Sequence, residues 1–369
     1  MLLTWGLSKN GQAGPSTNDK VLVPQNIPIK KQYGQIIDIS AGGLFTGALT
    51  NKNYLISFGC GKYGRLGCGD ENDHTKVISN LISSNSKLAK ISCGLWHAAA
   101  IDNNGSLYIW GHLKACGTSS NMTQPSLVDL NKNVIGISCG FNYTLAWTIE
   151  GVAYSWGSGN NGVLGHGDMA QQKKPKIIEA LNGHKIVDMS AGYCHCTAIC
   201  EDGKLFTWGK AAFGSLGNGS TSKSDVLVPQ LVTGFQNAKQ SSCSMGENHG
   251  HTLVVNKSGT VFVTGDGYKG KLGLGDQESH TTFQEIPGES FGGEAIMQVM
   301  AGGISSAALS SKGHVFTWGC GSDGRLGHPE AEGHRYLFRS DQPRIVESIQ
   351  DMNCKKVSAS YYHMAALID

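Results

Sequence analysis

The phrase VFTWGCGSDGRLG (315–327) joins a short apolar strand ending in Trp-Gly to a glycine-punctuated turn ending in Gly-x-Leu-Gly, and the chain repeats it. Trp-Gly or a degenerate form of it begins at Trp5, Phe58, Trp110, Trp156, Trp208, Thr264 and Trp318, seven copies spaced 53, 52, 46, 52, 56 and 54 residues apart. Any fold for this chain must honour that period. Glycine, 51 of 369 residues, stands at about twice its usual ~7% share. Because the excess follows the repeat, it is turn chemistry and not low complexity.

Each unit reads as four strands. KLAKISCG (87–94) and HAAAID (97–102) are followed by Asn103-Asn104-Gly105 and SLYIWG (106–111). Alternating apolar positions such as Ile91 and Cys93, or Leu107 and Ile109, fit half-buried strands. Asn104-Gly105 is a dipeptide suited to a type I′ hairpin turn, in which both central residues need φ > 0. After the Gly-rich turn comes a strand opened by proline, at Pro175, Pro229 and Pro343. Proline is tolerated there only on a sheet edge, which puts this fourth strand outermost. Four strands per unit and seven units predict an all-β, seven-bladed β-propeller with four antiparallel strands per blade. From Trp318 to the C-terminus is 51 residues, and Trp5 lies five further on, a sum of 56 that matches the internal spacings. The chain ends on the first two strands of a unit and begins on the last two. One blade is therefore expected to close from both termini, residues 1–30 completing what 354–369 begin. A single propeller over 1–369, with no linker or tail, is the expected organisation.

Bulk properties narrow the function. The formal net charge is +2 without blocks of like charge, so nothing points to a nucleic-acid or membrane field. No apolar run approaches 18 residues. Eleven cysteines are sparse and odd in number, which fits a reducing compartment, and a cytoplasmic monomer is the expectation.

The units AGGLFTGAL (41–49), CGLWHAAAI (93–101), AGYCHCTAI (191–199) and SYYHMAAL (360–367), together with Trp-Gly-x-x-x-x-Gly-x-Leu-Gly, resemble the regulator of chromosome condensation family of seven-bladed propellers. That resemblance covers essentially the whole chain. It implies the fold strongly and the function weakly, because one fold hosts many functions: members include exchange factors for small GTPases, scaffolds linked to ubiquitin ligases or kinases, ciliary cargo adaptors and a plant ultraviolet photoreceptor. The founding member, which acts on the nuclear GTPase Ran, carries a basic N-terminal tail and a β-wedge after its third Trp-Gly. This sequence starts at the propeller itself, and after its third Trp-Gly it has HLKACGTSSNMTQPSLV (112–128) in its shortest unit, which argues against Ran exchange by that mechanism. The photoreceptor gathers tryptophans through Gly-Trp-Arg-His-Thr repeats, and here only Trp96 approaches that pattern.

Local motifs reduce to architecture. GCGKYG (59–64), GSGNNG (157–162), GDGYKG (265–270) and GCGSDG (319–324) match a dinucleotide fingerprint, but no helix follows to meet a pyrophosphate, so they read as blade turns. Cys194-His195-Cys196 alternates faces along a strand and cannot converge on one ion. The recurring histidine (His97, His195, His249 or His251, His363) reads as a hydrogen bonder between blades. No catalytic motif stands out, and no cofactor or metal is expected. One segment breaks the pattern. Four of the five arginines lie within 325–344, and the link from Gly-x-Leu-Gly to the edge proline takes fifteen residues (328–342), against nine at 166–174. Arginine and aromatic residues concentrate at interface hot spots. His334, Arg335, Tyr336, Phe338 and Arg339 are thus the candidate partner-binding residues, against the alternative that the rings pack back on the blade and Arg335 and Arg339 pair with Glu330 or Asp341. Arg325 shares its slot with Arg65 and reads as structural. The expected function is a non-enzymatic interaction propeller for a protein partner, with nucleotide exchange on a small GTPase as the alternative.

Overall fold

The computed structural model describes residues 1–369 apart from 17–18, 84–85, 223, 248 and 329–338. Seven four-stranded antiparallel sheets stand around an axis, each running from an inner strand A through B and C to an outer strand D. Blade 1 comprises Ile36–Ala41, Phe45–Thr50, Tyr54–Gly59 and His74–Leu81. Blades 2 to 6 follow over 88–128, 134–177, 186–231, 238–285 and 296–345. Blade 7 takes A and B from Cys354–Ala359 and His363–Ile368, and C and D from Leu2–Leu7 and Lys20–Asn26. Leu3 pairs with Ala366 and Trp5 with Met364, closing the ring as the spacing predicts. Met1 and Ile368 exchange two backbone bonds, of 2.6 and 2.9 Å. Pro175, Pro229 and Pro343 all lie in D strands, at the outer edge. Among the described residues no helix is long and apolar enough to cross a membrane.

The hairpin at Asn104-Gly105 differs from the expected turn. Gly105 has φ +79°, but Asn104 is not in the left-handed region. The Asp102 carboxylate accepts from the Asn104 and Ser106 amides at 3.0 and 2.9 Å, holding a longer turn that needs one left-handed residue where type I′ needs two.

Among the described residues no backbone ladder joins one strand A to the next, although single backbone bonds cross between blades, as from Phe141 N to Gly192 O, so the inner edge of each strand A turns to side chains. A serine in strand A accepts the last amide of strand A in the following blade. The links are Ser40–Cys93, Ser92–Cys139, Ser138–Ala191, Ser190–Cys243, Ser242–Ala301 and, across the termini, Ser358–Ala41, all at 2.8–2.9 Å. At the remaining junction the serine slot holds Met300, and the tie is the one two residues earlier, where Gln298 Oε1 accepts from Val357 N at 3.1 Å as Gln240 does from Val299 N and Asp38 from Ile91 N.

A second set of bonds lies further out. The carbonyl of x in Gly-x-Leu-Gly receives the Trp-Gly indole of the next blade. Trp5 Nε1 donates to Arg325 O, Trp110 to Arg65 O, Trp208 to Val163 O and Trp318 to Lys271 O, at 2.8–3.0 Å. Hydroxyls from the next strand B reach the same position: Thr46 donates to Gln12 O, Thr252 to Ser215 O and Ser306 to Lys271 O. With those protons spent, the hydroxyls can only accept from the histidine of the preceding strand B. His363, His195 and His251 therefore donate through Nε2–H to Thr46, Thr252 and Ser306, at 2.7–2.9 Å. His97 meets Thr144 at 2.9 Å in the same way. The recurring histidine bridges blades, as its spacing predicts, and Cys194-His195-Cys196 lies within this packing.

These buried rings stay neutral. Burial pushes His97 and His363 down to about 3 and His195 to about 4, and takes His251 well below its ordinary value. The unfolded chain binds protons from about pH 6.5 downward that the folded rings refuse, so stability is whole above that pH and drains below it. Each ring contributes up to about 1.4 kcal/mol per pH unit. Thermal melts should drop steeply between about pH 6.5 and about pH 4, and His97→Gln should make the slope shallower; a melting temperature flat across that window would contradict this account. The indole bond gives a differential test. In blade 2 the hydroxyl slot is Ala98, so Trp110→Phe strands the Arg65 carbonyl, whereas Trp318→Phe leaves Lys271 O its bond from Ser306. Chemical denaturation should show Trp110→Phe the costlier by about 1–2 kcal/mol.

Candidate functional site

Antiparallel order puts every A–B and C–D connection on one face of the disc. In six blades the A–B connection is three residues long, as in Gly94-Leu95-Trp96 or Gly192-Tyr193-Cys194. Its middle or last residue points toward the axial mouth and lies against its neighbours. The rings of Tyr63, Trp96, Phe141 and Tyr193 form a continuous run, with centroids 5.5, 4.7 and 4.3 Å apart, and His112 packs edge-on to Tyr63 and Trp96. Across the mouth, Tyr361 contacts Tyr362 at 4.5 Å, and His249 stacks between Tyr268 and Phe213. Close approach requires glycine at Gly303, where a Cβ would sit 2.0 Å from the Tyr361 ring. The rings enclose a concavity of about 510 Å³, lined among others by Leu95, Trp96, Phe141, Tyr193, Glu247 and Tyr361.

Two local features mark this face as more than a rim. The C–D turns hold non-glycine residues in the left-handed region: Tyr63 at φ +68°, Asn161 at +59°, Phe213 at +63°, Lys269 at +60° and Asp323 at +66°. That conformation is costly for a bulky side chain, yet Phe213 gains little burial from it and stays 47% exposed. In addition, the A–B connection of blade 5 is seven residues, 244–250, against three elsewhere, and brings Met245, Glu247 and His249 to the mouth. Sequence reasoning missed this loop; the signal was the length between Cys243 and His251, where two candidate histidines were left to compete. His251 takes the inter-blade role, while His249 lies 3.2 Å from Asp266.

Charge within the mouth is sparse. Tyr193 bonds to Glu247, and burial together with that carboxylate pushes its hydroxyl up to about 12. Lys271 is fully buried against Asp266, and loss of solvent brings it down to about 8. Arg65 and Arg325 are architectural, as their shared slot predicts. Arg65 donates to Lys62 O and Leu95 O, and Arg325 to Ser322 O and Tyr361 O.

Of the candidate partner-binding residues, His334, Arg335, Tyr336 and Phe338 lie outside the described residues. Arg339 opens the last strand of blade 6, pairs with Cys320, and is exposed. Its guanidinium lies 3.0 Å from Asp341, so its charge is already matched by a neighbour. His328, just after the repeated phrase, is buried with Nε2 3.1 Å from Thr317 Oγ1, the counterpart of His166 on Ser155.

Residues 1–367 match the family model described as the RCC1-like domain. The chain is 31% identical over 361 residues to the human E3 ubiquitin-protein ligase HERC2; the match takes in 97% of this chain and 6% of HERC2, so the chain spans a small part of that relative. It is 32% identical over 300 residues to the ultraviolet-B receptor UVR8 of Arabidopsis thaliana, over 79% of this chain and 67% of UVR8. The solved structure of Prp20p from Saccharomyces cerevisiae superposes with a TM-score of 0.84 at 19% identity, over 99% of this chain and 90% of that one, a likeness of fold. With seven phased repeats, closure across the termini and a family match along nearly its whole length, the chain belongs to the RCC1-like domain family.

Proposed function

We propose that this propeller is a non-enzymatic docking module that seats a protein partner on its aromatic mouth. The observation that carries the reading is the ring run Tyr63–Trp96–Phe141–Tyr193, left half-buried on a face where Phe213 and Tyr63 adopt an unfavourable backbone conformation. Rigid aromatic surface of this kind supplies interface hot spots at little entropic cost, and backbone strain collects where function holds it. The arginine-bearing link 328–342 springs from the same face, and we include Arg335 and Arg339 in the docking surface. Eleven cysteines, none paired among the described residues, support a cytoplasmic setting.

Trp96→Ala and Tyr193→Ala should each weaken capture of the partner at least tenfold in a pull-down followed by titration. Phe213→Asn borrows the residue type that fills the same slot at Asn161. It should weaken capture while leaving the melting temperature equal or higher, because asparagine tolerates the left-handed conformation. Binding that survives all three substitutions would move the docking surface elsewhere. Arg335→Ala with Arg339→Ala should lower capture and leave melting nearly unchanged; collapse of melting would make that link structural.

RCC1-like propellers take part in protein interaction and small-GTPase regulation, and the solved Prp20p work concerns its binding to Gsp1p and histones. That supports a second reading, exchange on a small GTPase by distortion of the nucleotide site through protein contact. Release of fluorescent GDP from a panel of small GTPases at micromolar propeller decides it, since acceleration of any member establishes exchange and none leaves the docking module alone.

A further inference from the structure

The C–D link of blade 1 reads Gly67-Cys68-Gly69-Asp70-Glu71-Asn72-Asp73-His74 and lies on the same face, outside the aromatic mouth. Cys68, Asp70 and His74 turn toward one another. Cys68 Sγ is 3.6 Å from Asp70 Oδ1, and His74 Nε2 is 3.2 and 3.3 Å from the two carboxylate oxygens. The three donor atoms lie within 4.8 Å of each other. Tetrahedral bonds of about 2.0–2.3 Å to zinc give ligand–ligand edges of about 3.3–3.7 Å, close to the spacings found here. The other acids of the link are committed elsewhere: Glu71 accepts from Asn121 Nδ2 and Asp73 from Gly61 N and Asn10 Nδ2. Asn72 N donates to Asp70 Oδ1 and orients the carboxylate.

Blade 5 provides an internal comparison. Leu274-Gly275-Asp276 and His280 occupy the same slots, with the same turn bond from Glu278 N to Asp276 and the same pairing of histidine with the Trp-Gly glycine position. Yet His280 Nε2 makes no hydrogen bond to Asp276. The backbone of the link therefore does not by itself force histidine onto aspartate; the two links differ at Cys68 against Leu274 and at residues 71–73 against 277–279. Cys68 is also the only one of the eleven cysteines that is not buried.

We propose that Cys68, Asp70 and His74 bind one zinc ion, with the fourth position open to water or an exogenous ligand. Thiolate, imidazole and carboxylate form a donor set that suits zinc over the harder magnesium and calcium ions. Binding releases the Cys68 thiol proton to solvent and turns the His74 Nε2 lone pair to the ion, with no change of oxidation state.

The test titrates reduced, metal-stripped full-length chain with Co²⁺ and then Zn²⁺. One Co²⁺ per chain should bind with thiolate-to-cobalt charge-transfer absorption and tetrahedral visible bands, both abolished by one equivalent of Zn²⁺, and Zn²⁺ should raise the melting temperature. Cys68→Leu copies blade 5 and should fold as the parent does without metal while losing the absorption and at least tenfold in affinity. His74→Gln should lose affinity likewise, and Asp73→Asn should keep it. Should Cys68→Leu fail to fold, Cys68→Ser takes its place. Absence of the thiolate band in the parent, or parental affinity in the cysteine variant, overturns the proposal.

Discussion

Among the described residues no strand ladder joins one blade to the next, and much of the joining falls to one shared acceptor, the carbonyl of the third-to-last residue in the Gly-x-Leu-Gly turn. From the next blade an indole reaches it at Arg65, Val163, Lys271 and Arg325 and a hydroxyl at Gln12, Ser215 and Lys271, and a histidine donates to each of those hydroxyls. Each partner constrains the others: the carbonyl consumes the hydroxyl proton, which fixes the histidine Nε2 as donor, while burial keeps the ring neutral. The repeated phrase is conserved along the chain because its turn supplies this acceptor and its strand supplies the indole that answers the acceptor before it.

That arrangement puts the demand on the main chain and not on the side chain of x. The x side chains are as different as Arg65, Val163, Ser215, Lys271 and Arg325, yet their main-chain oxygens do the same work. Variation in the side chain is free to shape the mouth. Arg65 and Arg325 reach under it to carbonyls of the next A–B connection, bracing the loops that carry Trp96 and Tyr361. Packing between blades and the form of the mouth are thus linked through single residues.

The fold was legible from spacing alone. Period, strand alternation, edge prolines and the count across the termini specify the sheets, because each reflects a local requirement repeated seven times. The site was less legible. Phe141 and Tyr193 fill the middle slot of their A–B connections and Trp96 the last slot of its own, some fifty residues apart in the chain, so their adjacency is created only by closing the ring. Tyr63 joins them from a different connection, through a backbone conformation no propensity assigns to tyrosine. The 244–250 insertion was visible as length but was read as ambiguity over which histidine fills the repeat. Arginine clustering, by contrast, drew attention to 328–342, where Arg339 proves to be matched by Asp341 and His328 to be buried.

The serine links and the seam at Met1–Ile368 have a mechanical meaning. At six of the seven junctions strand A is tied to the next by a hydroxyl of nearly constant reach, and the last of these ties crosses from Ser358 to Ala41. A closed hoop of such ties, completed by Gln298 at the seventh junction, cannot open at one blade without loading all the others. In the docking role proposed for the mouth, the disc serves as an anvil: what settles there meets a braced surface, and change of shape on contact falls to the molecule that arrives.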